Sequence, residues 1–263
     1  DVIVTGKSGN NLTVRPQIHA DFSSLSGATA QPSQYDPNTG IGIEDLWISG
    51  ENSGGAMLYG IVWGPSVQDS WIRNVKVSGH QNYGINASGL INCEIDWSRV
   101  ELPYGGAAGT NHSALLVNTA NSILVWNSIL IQNQPNMELN SGVVGSAFLY
   151  NYVDSGIYGF NLDINHGPWN SHNLFEGNYT PSITDDAYFG GSSQQTIYRN
   201  FISALANDPL GPTATQSGGV NMNRFGRYHS VVGNVMLAPG YDWSWMTTNG
   251  FFWGYPFSPY AGT

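Results

Sequence analysis

The chain has 263 residues and a formal net charge of −10, with only eight Lys and Arg. So few cations argue against nucleic-acid binding, and against a polyanionic polysaccharide unless a metal such as Ca²⁺ bridges the like charges. Thirty-three Gly, nine Trp and fourteen Tyr favour an all-β fold. The length suits a single domain over residues 1–263, and the absence of an apolar run of roughly 20 residues predicts no membrane span.

The chain opens with "DVIVTGKSGNNLTV", which predicts a strand, a turn of Gly and Asn, and a second strand. Because a strand at Asp1 begins without any leader, we expect an upstream segment to precede it.

Short apolar runs then recur between turns rich in Gly, Asn and Ser, and most of them contain an Asn or Asp at the same place. Successive members of this series are 22 to 34 residues apart, as expected for a solenoid in which each coil adds one rung and extra residues form loops. We expect the side chains to stack in a ladder along the coils. The aligned residues are Asn74, Asp96, Asn127, Asn151, Asn178, Asn200 and Asn234.

This repeat, from "GIGIEDLWISG" to "GNVMLAPG", resembles the right-handed parallel β-helix proteins of the pectate-lyase-like superfamily. The resemblance implies a single-stranded, right-handed parallel β-helix. It leaves the activity open, since lyases, hydrolases, epimerases, tailspikes and adhesins share this scaffold.

The segment "NLDINHGPWNSHNLFEGNYTPSITDD" gathers acidic residues in a chain with few charges. Asp163 and Asp185 are 22 residues apart, the shortest step of the repeat, so we expect them on neighbouring coils and facing one groove. Two carboxylates about 5 to 7 Å apart match the acid and base, or acid and nucleophile, of glycosidases. Asp186 follows directly, and His166 falls in the same coil.

The same segment is similar to the polygalacturonase-like hydrolases, where an Asn-x-Asp motif is followed one coil later by an Asp-Asp pair. Asn161 and Asp163 match the first motif, and Asp185 and Asp186 match the second. The Gly-His-Gly element that follows in that family is absent here. The resemblance implies catalytic roles for Asp163, Asp185 and Asp186.

A second segment, "RFGRYHSVVGN", looks like the Arg-Phe-Gly-x-x-His segment of pectate lyases. That resemblance implies a lyase in which an arginine removes a proton next to a uronate. Arg224, Arg227 and His229 are alternatively substrate-binding residues, or part of a polar outer face.

Aromatic residues flank the acidic segment, and sugar rings pack on such side chains. We therefore predict Trp169 and Tyr188 as substrate-binding residues. Arg199 is predicted to bind substrate and to form a salt bridge that tunes the acids. The aromatic C-terminus, residues 240–263, is interpreted as a cap over the open end of the solenoid, or as a contact between copies in a homo-oligomer.

The preferred function is an extracellular polysaccharide-cleaving enzyme of the glycoside hydrolase type. Asp185 or Asp186 protonates the leaving oxygen, Asp163 activates water or stabilises the cationic centre, and His166 assists. No metal site is predicted for this reaction, and no cofactor is needed. The alternatives are a lyase assisted by Ca²⁺, a non-catalytic glycan-binding adhesin, and a structural β-helix that forms fibres or oligomers.

Overall fold

The computed structural model describes residues 3–9, 11–15, 37–50, 57–104, 113–156, 161–164, 167–185, 189–203, 219–222, 226–236 and 251–253. Within these ranges all regular structure is β-strand. None of the described segments forms an apolar helix long enough to cross a bilayer.

The strands are short, and most have two or three residues. In chain order the first fourteen are β1 (Ile3–Ser8), β2 (Asn11–Arg15), β3 (Asn38–Thr39), β4 (Gly42–Ser49), β5 (Met57–Trp63), β6 (Val67–Gln68), β7 (Trp71–Ser78), β8 (His80–Ser88), β9 (Leu90–Ile91), β10 (Glu94–Asp96), β11 (Arg99–Glu101), β12 (Ser113–Asn118), β13 (Leu124–Trp126) and β14 (Ile129–Ile131). The remaining ones are β15 (Met137–Leu139), β16 (Ala147–Leu149), β17 (Tyr152–Asp154), β18 (Leu162–Asp163), β19 (Leu174–Glu176), β20 (Tyr179–Thr180), β21 (Ile183–Asp185), β22 (Thr196–Tyr198), β23 (Phe201–Ile202), β24 (Val220–Met222), β25 (Ser230–Val232), β26 (Val235–Met236) and β27 (Phe251–Trp253).

Apart from the antiparallel hairpin β1–β2, every pairing is parallel and joins one coil to the next. The first face of the solenoid contains β10, β13, β16, β19, β22 and β25, and the second face contains β11, β14, β17, β20, β23 and β26. Both start from β7, which pairs with β10 through residues 71–73 and with β11 through residues 76–78. The third face is the eight-stranded sheet β5, β8, β12, β15, β18, β21, β24 and β27. A short sheet, β3–β6–β9, continues as single bridges to Arg227.

The interior is filled by alternate, mostly apolar residues of the strands, because neighbouring side chains of a strand point to opposite faces. On the first face Phe148 and Phe175 are fully buried and stack with ring centroids 5.0 Å apart. On the third face Leu115, Met137 and Leu162 are equally buried. The repeat predicted a solenoid, and this one is the right-handed parallel β-helix that the resemblance implied.

An asparagine ladder stabilises the corner between the first and second faces. In Asn178 the carboxamide oxygen accepts from the backbone N–H of Asn151 at 2.9 Å and from its side-chain nitrogen at 3.1 Å, while Nδ2 donates to Asn200 Oδ1 at 3.0 Å. Asn200 bonds Asn234 in the same way. In two earlier coils Ser98 and Ser128 take this position, and the backbone N–H of Ser128 bonds Asn151 Oδ1 at 3.0 Å.

The predicted ladder is thus confirmed for its last four members and wrong for the first three. Asn74 and Asn127 occupy the preceding corner position, where the backbone is left-handed with φ of 52° and 49°. Asn is among the few residues that adopt this conformation at low cost. Asp96 lies on the outside of the first face, where it accepts from Arg73 Nε at 2.9 Å.

Candidate active site

The outer side of the third face carries a row of residues that are register partners from coil to coil. Because the core residues Met137, Leu139 and Leu162 are fully buried, the residues that alternate with them point away from the interior. The row is Asn86, Leu116, Glu138, Asp163, Thr184 and Asn221.

Glu138 on β15 and Asp163 on β18 are direct partners in this row. Adjacent strands lie about 4.8 Å apart, so the two carboxyl groups belong to neighbouring rungs on one face. Their residues are 3% and 5% exposed. The outer row therefore places two shielded carboxyl groups side by side, which is the arrangement that the sequence predicted for a different pair.

Ser113 and Tyr83 lie next to Glu138. Ser113 Oγ donates to Glu138 Oε2 at 2.6 Å, and Tyr83 is the register partner of Ser113 on β8. Burial raises the pKa of the Tyr83 hydroxyl, and the nearby charge of Glu138 and then Tyr59 raise it further. Tyr83 therefore stays a neutral phenol near the carboxylates.

A bend in the third face brings Ser113 and Tyr83 to the same side as Glu138. At this bend Gly84 points inward, and a Cβ there would lie 2.2 Å from Val100 Cγ1 and 2.7 Å from the carbonyl oxygen of Ala114. Only glycine fits such a close approach. The alternation of sides is reset at the bend, so that Tyr83 and Asn86 both face outward.

Asp185 does not share a face with Asp163, and this prediction is wrong. The partner of Asp163 on β21 is Thr184, so Asp185 is displaced by one residue. Since a one-residue shift reverses the direction of a side chain, Asp185 points inward, on the same side as the buried Ile183. The step of 22 residues between Asp163 and Asp185 is one longer than the step of 21 between the register partners Asp163 and Thr184.

Asp185 instead belongs to a buried polar cluster inside the solenoid. Ser192 Oγ donates to its Oδ2 at 2.8 Å, and His229 Nε2 lies 3.4 Å from the same atom. The backbone N–H of Gln195 donates to His229 Nδ1 at 3.3 Å, so the proton of a neutral His229 lies on Nε2 and faces Asp185. Both side chains are fully buried, so His229 does not face a groove as predicted.

The other predicted residues do not assemble around Asp163. Arg199 lies at the corner between the first and second faces, with its guanidinium 4.6 Å from the ring centroid of Tyr198, and it is not on the third face. Arg227 belongs to the short sheet and is exposed. Trp169 is 68% exposed at a turn with φ of 76°, six residues after Asp163. His166, Asp186, Tyr188 and Arg224 lie outside the described residues, as does most of the predicted cap, 240–263.

Sequence reasoning missed Glu138, although a signal for it was present. "NMELN", residues 136–140, recurs as "NLDIN", residues 161–165, with Asn, acid and Asn at the same places. In the structure Asn136 and Asn161 are both fully buried, and Asn136 Nδ2 donates to Asn161 Oδ1 at 3.0 Å. Asn161 is therefore a structural residue, and the repeat as a whole identifies the acidic partner of Asp163.

Over the described ranges, no group of three or more His, Cys, Asp and Glu side chains could hold an ion.

No family model matches the sequence, and no curated protein matches it. Among solved structures, it is similar to the C387A mutant of DFA-IIIase from Arthrobacter chlorophenolicus A6, with a TM-score of 0.50 and 13% identity over 69% of this chain. The chain spans 43% of that protein. Full-length QnrB1, a plasmid-mediated fluoroquinolone resistance protein, has a TM-score of 0.19 at 9% identity over 76% of this chain and 93% of its own. The first similarity concerns the fold alone, the right-handed parallel β-helix.

Proposed function

We propose that the protein cleaves glycosidic bonds of a polysaccharide with Glu138 and Asp163 as its two catalytic carboxyl groups. The observation that carries the proposal is their register pairing on the outer side of the third face. A solved structure with a similar fold is named as an enzyme, DFA-IIIase, which adds weight to a carbohydrate-processing role.

The spacing of the rungs favours a double displacement. Carboxyl groups about 5 Å apart act as acid and nucleophile in retaining enzymes, whereas inverting enzymes need more room for a water molecule. Two like charges this close disfavour joint ionisation, which is how a site of this kind divides acid and nucleophile roles between two carboxyl groups.

Ser113 distinguishes the two roles. Because its hydroxyl donates to Glu138 at 2.6 Å, it stabilises Glu138 as a carboxylate. We assign Glu138 as the nucleophile that attacks the anomeric carbon while Asp163 protonates the departing glycosidic oxygen. Water, deprotonated by Asp163, then hydrolyses the glycosyl ester and returns Glu138 to its carboxylate form.

The test is a screen of neutral and acidic polysaccharides for new reducing ends and for absorbance at 235 nm, with and without Ca²⁺. We expect new reducing ends without the absorbance of unsaturated products, and their loss in Glu138→Gln and in Asp163→Asn. Glu176→Gln is the matched control, because Glu176 lies on the outer side of the first face as the partner of Leu149 and Tyr198. Cleavage that survives both substitutions would refute the assignment.

The alternatives make different predictions in the same screen. A lyase would yield the 235 nm absorbance and depend on Arg224 or Ca²⁺. An adhesin or structural protein would bind glycan or self-associate without releasing ends. An extracellular location remains a prediction, supported by the size of a polysaccharide substrate. The predicted contact between copies involves residues 240–263, most of which lie outside the described residues.

A further inference from the structure

Two tyrosines lie on the third face at the N-terminal side of the carboxylate pair. Tyr59 on β5 and Tyr83 on β8 are register partners, and their rings stack with centroids 5.9 Å apart and planes 19° apart. Both residues are partly exposed. Their hydroxyl groups form no hydrogen bond with any described residue, so this aromatic pair has polar groups available to a ligand.

Tyr83 is also connected to the carboxylates. Its register partner on the next strand is Ser113, whose hydroxyl is bonded to Glu138. One side of the Tyr83 ring is stacked on the ring of Tyr59. The neighbour on the other side is Ser113, whose side chain is too small to cover the ring. The other side faces toward the strand of Glu138. Along the solenoid axis, Tyr83 is two strands from Glu138 and three from Asp163.

The charges of the described residues indicate what kind of sugar fits this face. Among the described cations, Lys7 and Arg15 belong to the hairpin β1–β2 and Arg73 projects from the first face. Lys76 and Arg99 belong to the second face, Arg199 to the corner between the first and second faces, and Arg227 to the short sheet. No described Lys or Arg lies on the third face. Its outer row adds neutral polar residues to the two carboxyl groups, which would repel the carboxylates of a polyuronate.

We propose that Tyr83, backed by Tyr59, is a sugar-binding subsite, and that the glycan it binds is uncharged and lies along the solenoid axis across Glu138 and Asp163. The Tyr83 ring packs on the apolar C–H face of one sugar, and its hydroxyl bonds a sugar hydroxyl. This inference names the substrate class of the proposed function and rests on the same face.

The test measures binding rather than cleavage. In a Glu138→Gln/Asp163→Asn background, isothermal titration would compare β-2,1-fructan, β-1,4-glucan and β-1,4-xylan hexasaccharides with hexagalacturonate. We expect a neutral hexasaccharide to bind, and Tyr83→Ala to raise its Kd about tenfold, the upper range for an aromatic contact. Tyr83→Phe keeps the ring and should change Kd less. Tyr152→Ala, on the second face, is the matched control and should leave the Kd unchanged.

Since Tyr83 is half-buried, Tyr59→Ala provides a second variant, and thermal melting of each variant checks the fold. The proposal fails if Kd is unchanged in both alanine variants, if hexagalacturonate binds as tightly as the best neutral sugar, or if none of the neutral sugars binds. Binding that depends on Tyr83 in a protein whose wild type cleaves nothing would retain the subsite and refute the enzyme. If cleavage depends on Glu138 and Asp163 but Tyr83→Ala changes neither cleavage nor Kd, the enzyme is retained and the subsite is refuted.

Discussion

Glu138 and Asp163 are register partners on adjacent strands of the third face, and both side chains point away from the interior. Asp185, 22 residues after Asp163, points into the interior instead. One residue of register separates an acid that points outward from one that points inward, because side chains alternate along a strand. Substitution of Asp163 should therefore lower turnover, whereas substitution of Asp185 should lower stability.

Asp163→Asn should lower the cleavage rate by about 100-fold or more, the usual contribution of a positioned acid or base. Because Asn has nearly the same size and shape as Asp, the same change should leave the fold intact. Parallel assays of turnover and thermal unfolding would measure both. A large loss of stability would instead indicate that Asp163 is a structural residue.

Asp185→Ala should reduce the free energy of unfolding by about 1–3 kcal/mol, because Ser192 loses its acceptor and a cavity opens beside His229. Turnover per folded molecule should stay close to wild type. Urea unfolding together with activity of the folded fraction would check this. Loss of turnover in a stable variant would restore Asp185 to the active site.

Asn178→Ala should cost about 2–5 kcal/mol in free energy of unfolding. The change leaves the buried N–H of Asn151 and the carbonyl of Phe148 without the partners they have at 2.9 Å each, and each such group costs about 1–3 kcal/mol. Asn127→Gly is the matched control: Gly177 and Gly233 occupy the equivalent left-handed corner with φ of 66° and 67°, so this change should be neutral or slightly stabilising. Equal losses in the two variants, measured by urea unfolding, would contradict the ladder.

Glu101 should make stability depend on acid pH. Burial opposes ionisation of Glu101, but hydrogen bonds from Lys76 and Arg99 outweigh it and lower its pKa. Because the folded pKa is below the unfolded one, this stabilisation is present above pH ~4.3 and is lost as pH falls through the lower folded value. Glu101→Gln should cost about 1 kcal/mol at pH 7, since both cations are partly solvated, and progressively less as the pH falls below ~4.3. A difference that stays constant over this range would refute the assignment.

Tyr152 should limit stability at alkaline pH. Burial, and then a hydrogen bond to Asp154 at 2.8 Å, raise the pKa of Tyr152 to about 12. Since the folded pKa is above the unfolded value near 10, its stabilisation is present below pH ~10 and is lost as pH rises toward 12. Between pH 9 and 11 the wild type should lose more stability than Tyr152→Phe. Tyr228→Phe, at a residue 77% exposed, should follow the wild type.

The fold could be predicted from the sequence because each coil repeats the same apolar and turn residues. Asn178, Asn200 and Asn234 were aligned correctly by the residues around them. The site was predicted less well, because Asp163 was paired by counting from the shortest step of the repeat. Loop lengths differ between coils, so a count does not determine register, whereas the motif shared by residues 136–140 and 161–165 does. The interior direction of His229 depends on packing between coils and leaves no local pattern.

The asparagine ladder also has a direction. In every link the carboxamide nitrogen of one Asn donates to the oxygen of the Asn in the following coil, from Asn151 through Asn178 and Asn200 to Asn234. The amide dipoles are therefore aligned head to tail, and neighbouring hydrogen bonds polarise one another. Turning over a single carboxamide would place oxygen against oxygen on one side and nitrogen against nitrogen on the other. Backbone groups also bond each carboxamide and hold it in this orientation, so the column gives the solenoid a fixed electrical polarity along its axis.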